Sequence, residues 1–153
     1  MFHRFQYESE FYPALSRIPL DVRRKLDLTG IKISLKNWLA FGYTERLVLC
    51  HLPVDSDEER QIFAAYLDFL SGQYCDRPLQ TADALNSDLW RASEVPEAVL
   101  RKSAASASPV SLVQWARWQP HERYALYKMA ISTNQPEAFA QILEQLRGPK
   151  GAS

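Results

Sequence analysis

A chain of 153 residues with 46% apolar and 12% aromatic side chains carries enough core-forming material for an ordinary folded domain, which excludes a disordered or low-complexity polypeptide. Its 18 basic and 18 acidic side chains cancel, so the positive field of a general nucleic-acid or anionic-membrane binder is missing. Mixed charges through Met1–Glu10, and apolar runs well short of the roughly 18 residues a membrane helix needs, argue against a signal peptide and a membrane span and set the expectation of a cytoplasmic protein.

Taken in chain order, Phe5-Gln-Tyr7 is a weak hint of strand in a sequence without sustained alternation. Ser16 is expected to cap a first helix whose opening turn tolerates Pro19, and Gly30 supplies a left-handed residue to end it. Ser34 is expected to cap a short helix holding Trp38, and Gly42 marks the turn before a third helix with Glu45 in its first turn. Within that helix, Leu47-Val-Leu-Cys-His-Leu52 is apolar enough to place Cys50 in the core. Cys50 and Cys75 are the only cysteines and are expected to be reduced thiols.

A capping box at Ser56-Asp-Glu-Glu59 opens a fourth helix. There Ile62, Ala65, Tyr66 and Phe69 follow the i, i+3, i+4, i+7 spacing of a buried face. Residues 72–89 are rich in Gly, Ser, Asp, Asn and Pro and read as a linker. The helical pattern then recurs. Ser93 and Pro96 open a helix that stops before Pro109, Ser111 and Gln114 form a capping box ahead of Trp115, and Pro120 and Glu122 open the next helix. Asn134 to Leu146 places Phe139, Ile142, Leu143 and Leu146 on one stripe, and residues 148–153 read as a flexible tail.

This recurrence amounts to an internal repeat. Sliding the sequence by 77 positions aligns 16–70 with 93–147 and pairs Ser16 with Ser93, Pro19 with Pro96, Val22 with Val99, Arg24 with Arg101, Lys25 with Lys102, Ser34 with Ser111, Leu35 with Leu112, Trp38 with Trp115, Glu45 with Glu122, Arg46 with Arg123 and Leu49 with Leu126. Chance would supply about three matches over this length, and seldom a tryptophan. The fold class expected is all-α, a single compact domain over 1–153 of two tandem helical modules packed about a pseudo-two-fold axis, and a monomer.

Few residues suggest chemistry. Arg23, Arg24 and Lys25, with Lys32 and the counterparts Arg101 and Lys102, are the candidates for contact with an acidic partner, although basic residues near a helix end also arise from dipole complementarity. Glu45-Arg46 and Glu122-Arg123 either pair across the pseudo-symmetry axis or support helix ends, with no nucleophile or second carboxylate at a catalytic spacing. Tryptophans at repeated positions in apolar helices point to packing. His3, His51 and His121 are scattered, which argues against a metal site, and no phosphate-cradling glycine loop or Gly-x-Ser-x-Gly is present. Leu35 to Leu52 admits a helix-turn-helix reading, but Leu47, Val48, Leu49 and Leu52 leave few side chains for base edges.

The string Ile18-Pro-Leu-Asp-Val22, Arg24-Lys-Leu-Asp27, Gly30-Ile-Lys-Ile-Ser-Leu35, Trp38, Glu45-Arg46 and Leu52-Pro53 resembles the nitrate reductase-associated proteins of cyanobacteria and some other bacteria. Phe5-Gln-Tyr-Glu-x-x-Phe11, Ser111-Leu-Val-Gln-Trp115 and Glu122-Arg123 extend the resemblance over nearly the whole chain. It implies a non-catalytic accessory or maturation factor that binds the catalytic subunit of assimilatory nitrate reductase, a molybdenum and iron–sulfur enzyme, and holds no cofactor of its own. Family members carry cysteines near the Ile-Pro pair and before the glycine, where this chain has Arg17 and Thr29, which speaks against cluster handling there. The alternatives are a ligand-binding protein or enzyme with a site between the modules and, third, a helical DNA-binding regulator.

Overall fold

The structure is a computed structural model that describes residues 1–76, 78–106, 108–133 and 135–148. Among the described residues the elements are α1 (Leu20–Thr29), β1 (Ile31–Lys32), α2 (Leu35–Ala40), α3 (Tyr43–His51), α4 (Asp57–Tyr74), β2 (Gln80–Thr81), α5 (Glu97–Ser106), α6 (Leu112–Arg117), α7 (Pro120–Ile131) and α8 (Pro136–Arg147). The class is all-α apart from the antiparallel pair β1–β2, in which Ile31 faces Thr81 and Lys32 faces Gln80. Of the expected tail, residues 149–153 lie outside the described residues, as does Asn134, the expected start of the last helix.

Short-range signals set most helix ends. Ser34, Ser56 and Ser111 each accept the amide hydrogen of the residue three positions on, at 3.0, 3.1 and 3.1 Å, and the side chains of Asn37, Glu59 and Gln114 return a bond to the cap amide. Gly30 ends α1 at φ 73°, its amide donating to the Leu26 carbonyl at 2.9 Å. Ser16 and Ser93, in contrast, cap nothing. The residue before a proline is barred from helical ψ, so α1 cannot begin before Pro19, which stands at its N-cap; α5 likewise starts after Pro96. Phe5-Gln-Tyr7 is no strand: Gln6–Glu8 forms a 3₁₀ turn.

The chain divides into two compact units, 1–4 with 8–86 and 5–7 with 87–153. In the first, α1 packs on α3 and α4 and α4 on α2, around Val22, Trp38, Phe41, Leu49, Cys50, Phe63, Leu67 and Leu70. Of the segment expected as a linker, 72–86 belongs to this unit and 87–89 to the second. Its first turn is the end of α4, β2 pairs with β1, and the amides of Ala82 and Leu85 donate to Gly30 and Asp27 carbonyls at 2.8 Å. In the second unit α7 packs on α5 and α8, with Trp115, Tyr124, Leu126, Phe139, Ile142 and Leu143 buried.

Of the stripe expected to bury on α8, Phe139, Ile142 and Leu143 do so and Leu146 is half-buried, whereas the one expected on α4 faces outward. Ile62 and Phe69 are 52% and 57% exposed, and the buried row is Phe63, Leu67, Leu70 and Ser71. Phe63 to Phe139, Leu67 to Leu143 and Leu70 to Leu146 are each 76 positions apart, against 77 for Trp38 to Trp115. One residue fewer between the third and fourth helices of the second half turns the register by about 100° of helix, enough to exchange one face for another.

Candidate functional site

The basic cluster Arg23–Lys25 lies on α1, which must bury Leu20, Val22 and Leu26, and the helical period carries two of its three cations inward with them. Lys25 is 0% exposed; its ammonium donates to the carbonyls of Cys50 at 2.5 Å and of Leu49 and Met1 at 3.2 Å, and lies 3.8 Å from Asp21. Arg24 is buried too, its Nε donating to Asp21 Oδ1 at 3.0 Å. Asp21 also accepts the His3 amide hydrogen at 3.0 Å. Arg24 and Lys25 are therefore corrected from surface contacts to internal ties, because the free carbonyls at the end of α3 and the Asp21 carboxylate satisfy them inside. Arg23 is half-exposed, Lys32 and Arg101 are exposed, and Lys102 is half-buried with its ammonium 3.4 Å from the Ser132 carbonyl past the end of α7.

Burial shapes the ionisation of this centre. Desolvation draws the Lys25 ammonium down to about 8 against the pull of Asp21, and pushes the Cys50 thiol up to about 12. Glu8, next to the start of α1, accepts the Leu20 amide hydrogen at 2.8 Å and the Tyr12 hydroxyl at 2.6 Å. Desolvation nevertheless raises it to about 7. These groups are packed among main chain and core, so they hold helices in place and offer a substrate no approach.

The Glu-Arg pairs support helix ends. Glu45 Oε1 accepts the Gly42 amide hydrogen and Glu122 Oε1 that of Gln119, both at 2.8 Å. Arg46 donates to the Phe41 carbonyl at 2.7 Å and Arg123 to the Trp118 carbonyl. The indoles of Trp38 and Trp115 donate to Leu15 and Arg91 carbonyls at 2.8 and 2.7 Å, fixing the segment that precedes the first helix of each unit. These tryptophans are fully buried, as their repetition suggested.

The open face with chemical character is a groove of about 530 Å³ in the first unit, between α2 and the C-terminal end of α4. Lys32, Ser34, Lys36, Asn37, Tyr74, Cys75, Asp76 and Gln80 line it, over Ala40, Ser71, Pro78 and Leu79, so two cations share the groove with one carboxylate. The sequence reading reached Lys32 and missed Lys36, which carries no motif of its own and joins Lys32 only as part of the same groove lining. Asn37 Nδ2 donates to Cys75 Sγ at 3.3 Å, and the Tyr74 hydroxyl donates to Glu45 Oε2 at 3.1 Å. A smaller groove of about 280 Å³ lies in the second unit, between α6 and the end of α8, with Gln114, Arg117 and Arg147 on its walls. Among the described residues no group of three His, Cys, Asp or Glu side chains is placed to hold a metal ion, and no helix is long and apolar enough to cross a membrane.

A family model described as conserved nitrate reductase-associated protein matches residues 4–146, nearly the whole chain. No curated protein and no solved structure matches the chain.

Proposed function

We propose, from the premise that this chain belongs to the family of conserved nitrate reductase-associated proteins, that it is a non-catalytic accessory factor that binds the catalytic subunit of nitrate reductase and supports its active form. The family description associates its members with that enzyme. Contact runs through the groove of the first unit, with Lys32 and Lys36 facing carboxylates of the reductase and Arg23 and Arg101 as further contacts. The observation that carries this reading is that Lys32 and Lys36 are exposed beside the groove and have no ion-pair partner among the described residues. An exposed pair of cations outside any ion pair costs little in water and gains from an anionic partner. On the same reading 16–70 and 93–147 are copies of one scaffold, the protein works as a cytoplasmic monomer, and no cofactor is needed for binding.

Co-purification from nitrate-grown cells tests it. The wild-type chain should recover the reductase and the double variant Lys32→Glu, Lys36→Glu should not, at an unchanged melting temperature. Deletion should lower reductase activity without lowering its transcript. Normal activity in the deletion strain, or undiminished recovery by the double variant, would defeat the proposal.

A further inference from the structure

Helix α4 carries two apolar faces, and the core of its unit uses only one. Phe63, Leu67 and Leu70 point inward, while Ile62 and Phe69, 52% and 57% exposed, stand with exposed Ala65 on a second row. The spacing i, i+3, i+7 brings these three onto one stripe about two turns long. Isolated exposed hydrophobes need no explanation, but a stripe of them at helical spacing does.

Charge along the stripe is one-sided. Glu58, four residues before Ile62, continues the same row, and Asp68 borders it three residues after Ala65. Both carboxylates are exposed, and neither has an ion-pair partner among the described residues. Glu58 lies in the first turn and gains from the positive end of the helix, a gain that Asp68, in the interior of the 18-residue helix, does not share. Positions three and four away from Asp68 hold Ala64, Ala65, Ser71 and Gly72, so no cation within α4 offsets it. Arg60 is the single base of a helix with four acids. At α8 positions 76 further on from Ala65 and Phe69 stand the exposed polar residues Gln141 and Gln145, while Ala138, 76 further on from Ile62, is buried, so α8 has no exposed apolar stripe there.

We infer that this stripe is a docking surface for an amphipathic helix of a partner protein whose apolar row is bordered by lysine or arginine. Such a helix lays its apolar side chains on Ile62, Ala65 and Phe69 and sets its cations against Glu58 and Asp68. A second copy docked α4 against α4 would bring the same four acids together against one base, Arg60, which is already tied to Asp57 of its own helix at 3.4 Å. The surface shares no residue with the lining of the Lys32 and Lys36 groove, so it stands apart from the proposed contact with the reductase.

The probe is a synthetic helical peptide with one leucine face and one lysine face, titrated against the full chain and followed by fluorescence anisotropy. Binding should weaken about tenfold or more in Ile62→Ala with Phe69→Ala and in Asp68→Lys, fall as salt rises, and stay unchanged in Glu97→Lys and in Lys32→Glu, Lys36→Glu. Circular dichroism melting of each variant checks that the fold is kept. The inference is overturned by absence of binding to the wild type, by equal binding to the stripe variants, by a leucine–glutamate peptide binding as tightly, or by light scattering that shows a dimer which Ile62→Ala, Phe69→Ala converts to monomer.

Discussion

The ammonium of Lys25 lies 2.5 Å from the carbonyl oxygen of Cys50, with the lysine side chain sealed from solvent. An α-helix leaves its last carbonyls without intrahelical donors, and α3 ends against α1, where a buried cation meets that need. Replacing Lys25 by Met would leave the Leu49 and Cys50 carbonyls short of a donor and leave Asp21 with one cation fewer. The expected loss is about 3 kcal/mol, read as a lower urea midpoint, and the further change Asp21→Asn should cost less in this background than in the wild type. An unchanged midpoint for Lys25→Met would show the tie to be idle.

Glu8 and Lys25 give stability opposite slopes with pH. Glu8 is raised from 4.5 to about 7 on folding, so the folded state holds more protons in between, and its contribution is full below 4.5 and lost as pH rises through 7. Lys25 is lowered from 10.5 to about 8, so its contribution is full above 10.5 and lost as pH falls through 8. Glu8→Gln should remove the loss between pH 5 and 8, on the order of 2 kcal/mol, because the amide oxygen can still accept from Leu20 and the Tyr12 hydroxyl can turn to accept. Denaturation midpoints at the two pH values decide the matter; parallel curves for wild type and variant would contradict it.

Gly30 occupies the left-handed region at φ 73°, and a Cβ there would sit 2.6 Å from the Ala82 carbonyl oxygen. Gly30→Ala therefore combines backbone strain with a clash against the segment that pairs β2 with β1. A loss of about 2 kcal/mol is expected, with amide exchange at Ala82, whose hydrogen goes to the Gly30 carbonyl, accelerated more than in α4. Uniform acceleration across the unit would contradict the local account.

The two thiols should differ in reactivity. Cys75 is half-exposed in the groove, while Cys50 is buried and its thiolate is disfavoured by desolvation. Iodoacetamide at neutral pH should modify Cys75 alone in the folded chain and reach Cys50 only in denaturant, as peptide mass mapping would report. Prompt modification of Cys50 in the native protein would mean that the core around it opens.

Much of the fold could be read from the chain because its signals are local. The cap at Ser34, the capping boxes at Ser56 and Ser111, the glycine at the end of α1 and the proline at the start of α7 act within one turn, so the residues themselves carry the information. The core positions of Trp38, Trp115 and Cys50 followed from apolar surroundings. The groove was only partly legible: Lys32 stood in a recognisable string, but Lys36, Cys75 and Gln80 meet through β1–β2 pairing and the end of α4, which no spacing announces.

What the sequence by itself determined, then, is an all-α chain, most helix termini, and a pattern of Trp, Glu and Arg positions recurring across its two halves. Only the tertiary structure decided which of two apolar rows on α4 faces the core, since a periodicity of 3.6 marks a row without saying what packs on it. Tertiary packing likewise decided that Arg24 and Lys25 turn inward while Lys32 and Lys36 stay in water. A cation's place depends on where uncompensated carbonyls and carboxylates come to lie, and those are set by neighbours distant along the chain.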